Sequence, residues 1–198
     1  VHNMCWSADG SLATWAAAMT LAGITHGYDP KLWVFAAIFT HMQLVEYFLW
    51  KNLQVPRLNT FWSQIGFLIV LIEPVAAIYL IENESLRNKL LAGYAMYVAV
   101  LLSTQKFDFR TVVGGNGHLE WKWIPSLFKL IPWFVFFLAP IWIAGYHEIF
   151  IGACLTLLAS IYFYGKYGTF STMWCWIAVS MWVYFFIDKN KIFGTSTT

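Results

Sequence analysis

The residue with the most chemistry to offer is a glutamate set in a hydrophobic run. Glu46 lies within Thr40-His41-Met42-Gln43-Leu44-Val45-Glu46-Tyr47-Phe48-Leu49-Trp50, a stretch otherwise apolar enough to cross a bilayer. A charged side chain at the membrane centre costs from roughly 3 kcal/mol in insertion assays to more than 10 in simulations, so such residues face a bundle interior and carry a function or an interhelical contact. At about 100° per residue, Thr40, Gln43, Tyr47 and Trp50 form one stripe, Glu46 falls about 60° from Gln43, and His41 falls about 140° from Glu46. Gln43, Glu46 and Tyr47 can therefore share a surface that His41 does not join.

A second acid, Glu73, precedes Pro74 inside another apolar run. Proline lacks an N–H and crowds the preceding turn, which predicts a kink where one carbonyl loses its helical partner. A carboxylate beside an interrupted helix is a candidate proton or cation site. If it meets the Glu46 surface, the two acids can share a proton or bind a cation. The competing reading is that Glu46 hydrogen-bonds a neighbouring helix and fixes its register.

The elements that must position these groups are legible from composition. Of 198 residues, 60% are hydrophobic and 11% charged, against about half and a quarter in soluble domains, which places the chain among membrane proteins. Twelve Trp and ten Tyr suit the headgroup boundary. A net charge of +2, without a Lys/Arg cluster, argues against nucleic acid and against a lipid-phosphate patch. Apolar runs of roughly 17–25 residues, the length that spans a bilayer, predict an all-α, single-domain bundle of seven transmembrane helices. They lie near 11–26, 31–50, 59–81, 88–104, 126–145, 148–164 and 169–187. No cleavable signal peptide is expected, and the first span serves for insertion. Basic residues near the helix ends lean toward a cytoplasmic N-terminus.

The connection 105–125 is the one long loop expected, a candidate lid, re-entrant turn or surface tip. Its Gly114-Gly115-Asn116-Gly117 lacks the Lys-Ser/Thr ending of a phosphate loop. Trp121, Trp123 and Trp133 read as an interfacial belt. The tail 194–198 reads as a disordered terminus.

Three function classes compete. The first is a small transporter, channel or ligand-sensing bundle with a polar site on the second and third helices. The second is a membrane-embedded, metal-using hydrolase. It is weakened because His2, His26, His118 and His147 fall at termini or loops, only His41 is helical, and no HxxxH or HExxH pair exists. Cys5, Cys154 and Cys175 form no CxxC pair, and packing is the simpler role for them. A retinal receptor fails because 169–187 contains no lysine. The third class is a structural subunit of a larger membrane assembly or virion membrane.

Met4-Cys5-Trp6-Ser7, Met42-Gln43-Leu44-Val45-Glu46-Tyr47-Phe48-Leu49-Trp50, Glu73-Pro74 and Met173-Trp174-Cys175-Trp176 together resemble an uncharacterised family of small multi-spanning membrane proteins of giant viruses, algae and other microbes. The resemblance covers most of the chain. It implies a small helical membrane bundle and brings no established activity, cofactor or catalytic residue. The family pattern more often has Gln before the third-helix proline, so the acid at Glu73 is not a general requirement.

Gln43, Glu46, Tyr47 and Glu73 are thus the leading polar-site candidates, with Ser7, His41, Trp174, Cys175 and Trp176 in second rank. No metal site and no catalytic residue is assigned, and no cofactor is specified. Membrane lipid is the expected partner, together with a homo-oligomer or larger membrane complex and a small ion or solute.

Overall fold

A computed structural model describes residues 7–25, 29–177 and 179. Met4, Cys5, Trp6, His2, His26, residues 178 and 180–187 of the helix expected at 169–187, and the tail 194–198 lie outside the described residues.

The described chain is mostly helical: α1 (Ala8–Thr25), α2 (Pro30–Asn52), α3 (Pro56–Tyr79), α4 (Glu84–Thr104), α5 (Leu127–Ile143) and α6 (His147–Tyr164), then a 3-10 turn (Gly165–Tyr167). A further helical stretch covers 170–177. Local chemistry sets several ends. Asp29 caps α2 by accepting from the Leu32 N–H at 3.0 Å, with Pro30 in the first turn where no N–H is needed. Asn83 caps α4 through the Leu86 N–H. α5 stops in a Schellman turn: Gly145 has φ +88°, its N–H reaches the Trp142 carbonyl, and the Tyr146 N–H reaches that of Ile141.

The expectation of seven spans is corrected. On length and composition, three helices among the described residues can cross a membrane: Pro30–Asn52, Pro56–Tyr79 and His147–Tyr167. α5 is apolar but has 17 residues, and at 1.5 Å per residue it reaches about 26 Å, short of a hydrocarbon core of about 30 Å. α4 opens with Glu84, Arg87 and Lys89, and α1 is built largely of Ala, Gly and Thr, which contribute little transfer energy.

The all-α expectation also needs amending, because 105–125 holds a two-stranded antiparallel hairpin. β1 (Thr111–Val113) pairs with β2 (Leu119–Trp121) in the register Thr111↔Trp121, Val112↔Glu120, Val113↔Leu119. Nor do its tryptophans form a boundary belt. Trp121, Trp123 and Trp133 are all buried, and the Trp121 and Trp123 rings stack at 5.0 Å.

Tethers fix the hairpin to one end of the bundle. The Asn59 amide of α3 pairs with both backbone groups of Thr111, Nδ2 donating to the carbonyl at 2.8 Å and Oδ1 accepting from the N–H at 2.9 Å. Ser63 and Thr111 share a hydroxyl bond at 2.9 Å. Asn116 Nδ2 donates to Thr169 Oγ1 at 2.8 Å, and Thr172 Oγ1 donates to the Leu119 carbonyl at 2.9 Å. Gly168, at φ +70°, runs so close to the hairpin that a Cβ there would meet Glu120 Oε1 at 2.8 Å.

At the opposite end, Lys31 pairs with Glu82 at 2.6 Å, and Tyr146 donates to the α2 cap Asp29. Burial, helped by that carboxylate, raises the Tyr146 pKa.

The interior is aromatic. Trp133 stacks on Phe137 at 5.0 Å, Phe137 meets Phe35 at 5.6 Å, and Trp174 sets its edge against Phe39, Trp133 and Phe137. Such pairs contribute roughly 0.5–1.5 kcal/mol each beyond area burial. The outside is apolar too: Phe61, Leu68, Ile72, Val75 and Tyr79 on α3, and Ile151, Leu155, Leu158 and Tyr162 on α6, are all exposed. Both sets recur at helical spacing, as a face toward lipid requires.

Candidate functional site

The inward face of α2 carries Thr40 and Gln43 of the predicted stripe together with Glu46, whereas Tyr47 and Trp50 are only half-buried. Thr40, Gln43 and Glu46 are 0%, 0% and 1% exposed. Across from them on α1, Ser11 is equally buried, and it and Gln43 are the polar side chains that approach the Glu46 carboxyl. These approaches leave much unsatisfied. Glu46 Oε1, both polar atoms of the Gln43 amide and the Thr40 hydroxyl have no hydrogen-bond partner among the described residues.

Tyr47 departs from this group. It is half-buried, with its ring against Phe48 at 5.0 Å and the Lys51 ammonium 5.8 Å from its centroid. His41 stays off the Glu46 surface, as its helical angle predicts. Its Nδ1 bonds the Ala37 carbonyl at 2.6 Å, and its ring meets Trp15 edge-on at 6.2 Å.

Glu73 is 2% exposed and sits at the proline of α3. Pro74 removes the N–H that would reach the Val70 carbonyl, and Trp133 of α5 supplies one instead, Nε1 to O at 2.8 Å. One residue on, the Tyr94 hydroxyl of α4 donates to the Leu71 carbonyl at 2.8 Å. The helix is thus stitched at Pro74 by its two neighbours. Glu73 Oε1 itself has no hydrogen-bond partner among the described residues.

Beside Glu73 is a cavity of about 30 Å³, walled by α3, α5, the hairpin end and the stretch 170–177; Trp121, Trp133, Ser171, Trp174 and Cys175 are among its lining residues. The Cys175 thiol is buried and lies within electrostatic reach of Glu73 first and Glu46 second. Tertiary structure therefore brings Cys175 toward both acids.

The other second-rank residues hold structure. Trp174 Nε1 donates to the Ala153 carbonyl and to Thr156 Oγ1, both at 3.2 Å. Trp176 Nε1 reaches Thr14 Oγ1 at 3.2 Å, tying 170–177 to α1. Ser7 caps α1 through the Gly10 N–H.

Neither buried acid forms a salt bridge with a cationic side chain among the described residues; the ion pairs there involve Lys31, Arg110 and Lys122 on the surface. Among the described residues, no group of three or more His, Cys, Asp or Glu is placed to hold a metal. A carboxyl without a cation beside it can lower its cost of burial by carrying a proton or by taking a small cation.

Sequence reasoning missed the Asn59–Ser63–Thr111 network and the part played by Trp121 and Ser171. The one available signal was the spacing of Asn59 and Ser63, four apart on one helical face; their partner Thr111 is some fifty residues away, and no local pattern reveals it.

Comparison of the chain with protein-family models, curated proteins and solved structures finds no match.

Proposed function

We propose that the chain is a multi-pass membrane bundle working as a small transporter, channel or ligand-sensing protein, in which Glu46 and Glu73 exchange a proton or hold a small cation. In this reading α2, α3 and the helix His147–Tyr167 cross the membrane, and α1, α4 and α5 pack against them. One observation carries the assignment: two carboxylates are almost wholly buried without a salt bridge among the described residues. An acid kept only to hold helices together would have its oxygens satisfied by neighbours; here Gln43 and Ser11 approach the Glu46 carboxyl, and Oε1 of each acid has no hydrogen-bond partner among the described residues. Likeness to the small membrane proteins of giant viruses and algae belongs to the same proposal.

The test is flux. Full-length protein reconstituted into liposomes with a trapped pH dye is expected to dissipate an imposed pH gradient, or a sodium or potassium gradient, faster than empty liposomes. Glu46→Gln and Glu73→Gln are each expected to remove most of that excess. Folded wild-type protein that matches empty liposomes for all three gradients overturns transport. The competing reading, a structural subunit of a larger membrane assembly, is favoured by the broad apolar faces of α3 and α6. Copurification with stoichiometric partner chains would support it.

A further inference from the structure

Three polar groups in the lining of the cavity beside Glu73 have no hydrogen-bond partner among the described residues: Glu73 Oε1, Ser171 Oγ and Trp121 Nε1. The residues are 2%, 8% and 3% exposed. They come from α3, the stretch 170–177 and the hairpin, so no single element creates the site. Two further indoles in the lining are already used, Trp133 Nε1 on the Val70 carbonyl and Trp174 Nε1 on the Ala153 carbonyl and Thr156; the Cys175 thiol there is only a weak donor.

The guest must fit both the volume and the chemistry. A water needs at least about 10–15 Å³ on this measure and usually makes about three hydrogen bonds. The cavity, at about 30 Å³, accommodates one molecule. The lining offers an acceptor at Glu73, a donor at Trp121 and a hydroxyl at Ser171 that can do either. A metal cation would meet the positive edge of an indole N–H and too few oxygens to replace its hydration shell. An anion would meet a carboxyl group. Water alone complements all three: it donates to Glu73, accepts from Trp121 and bonds Ser171 in the sense left over.

We infer that Glu73, Ser171 and Trp121 form a binding site for a single internal water that joins α3, the hairpin and the stretch 170–177. This water gives the Glu73 carboxyl a proton acceptor and donor. The site does not depend on transport: it stands on the cavity and its three groups, and it can exist in a protein that moves no ion.

The experiment uses the full chain in lipid nanodiscs, isotope-labelled at tryptophan nitrogen, and reads magnetisation transfer from water to indole N–H groups by NMR. The Trp121 signal is assigned by its loss in Trp121→Phe. The expected result is a transfer peak from a long-lived water at Trp121 and none at Trp174, whose N–H is bonded to the Ala153 carbonyl and Thr156. Ser171→Val fills the cavity and should abolish the Trp121 peak while leaving the other indole signals in place. Ser171→Ala keeps the room but removes one bond, and should weaken the peak. Absence of transfer at Trp121 in the wild type overturns the inference, as does a peak that survives Ser171→Val undiminished. Exchange of choline for sodium or potassium at constant ionic strength should leave the Trp121 shift unmoved; a shift that follows either cation would mean that a cation holds the site and the water does not. A failed flux assay leaves the water peak where it was, so the two readings fail separately.

Discussion

Glu46 and Glu73 differ from ordinary buried acids in having no cation beside them among the described residues. Breaking a buried ion pair by removing one partner typically costs about 3–5 kcal/mol. Glu73→Gln removes a group with no protein donor at Oε1 among the described residues and keeps a carbonyl oxygen that can accept from a water, so its effect on unfolding free energy in detergent at neutral pH is expected to stay within about 1 kcal/mol, the net worth of a single hydrogen bond. A loss of several kcal/mol would show an ion pair or network holding the acid and would shift the balance to the structural reading. His118 supplies a pH test away from the bilayer. Its ring lies 5.7 Å from that of Tyr164, and partial burial lowers its pKa. The unfolded chain then binds more protons than the native one in the interval below about 6.5, so stability is lost as pH falls through that interval. The melting temperature of wild type is expected to drop more steeply there than that of His118→Gln; parallel curves would remove His118 as the cause.

At the scale of elements, the instructive feature is the proline inside α3. Pro74 orphans the Val70 carbonyl, and a side chain from another helix satisfies it. Trp133→Phe keeps most of the stacking on Phe137 but strands that carbonyl, a loss of about 1–3 kcal/mol for a buried unpaired acceptor. Pro74→Ala restores a backbone N–H to the same carbonyl. In the Pro74→Ala background, Trp133→Phe should cost clearly less, and the difference measured in a double-mutant cycle reports the coupling. Equal costs in the two backgrounds would mean that the indole contributes by packing alone. The hairpin follows a related logic: Asn59 acts as a third strand partner, giving Thr111 both a donor and an acceptor where the described residues hold no further strand.

For the whole molecule, the contacts sort the connections into two ends. Lys31 with Glu82 and Tyr146 with Asp29 place the α3–α4 and α5–α6 connections beside the start of α2. Asn59 with Thr111, Lys129 with Gln105 and Asn116 with Thr169 place the hairpin at the other end. If the bundle spans the bilayer, these ends face opposite compartments. In a cysteine-free background, single cysteines at Asn83 and Gly145 should be modified by a membrane-impermeant reagent from one side of sealed, oriented vesicles, and one at Asn116 from the other. Labelling of all three from the same side would refute the arrangement.

Sequence alone determined that this is a mostly helical chain with helices long and apolar enough to cross a membrane, because hydropathy and low charge density are properties of composition. Helical angle, a local fact, also predicted that Gln43 and Glu46 share a surface His41 does not join, while Tyr47, expected on it too, is half-buried beside Lys51; α3 runs on through Pro74 without the predicted interruption, and the proline's local effect is the missing N–H opposite the Val70 carbonyl. Sequence overstated the spans, because a run of apolar residues does not reveal how short α5 is or how charged the first turns of α4 are. Tertiary structure alone decided that Trp121 and Trp123 turn inward, and that Trp133 and Tyr94 bond the Val70 and Leu71 carbonyls near Pro74. It likewise decided that Ser171, Cys175 and Trp121 gather beside Glu73. Each of those outcomes depends on which distant segment is packed against the residue, and the period of a helix or strand carries no information about that.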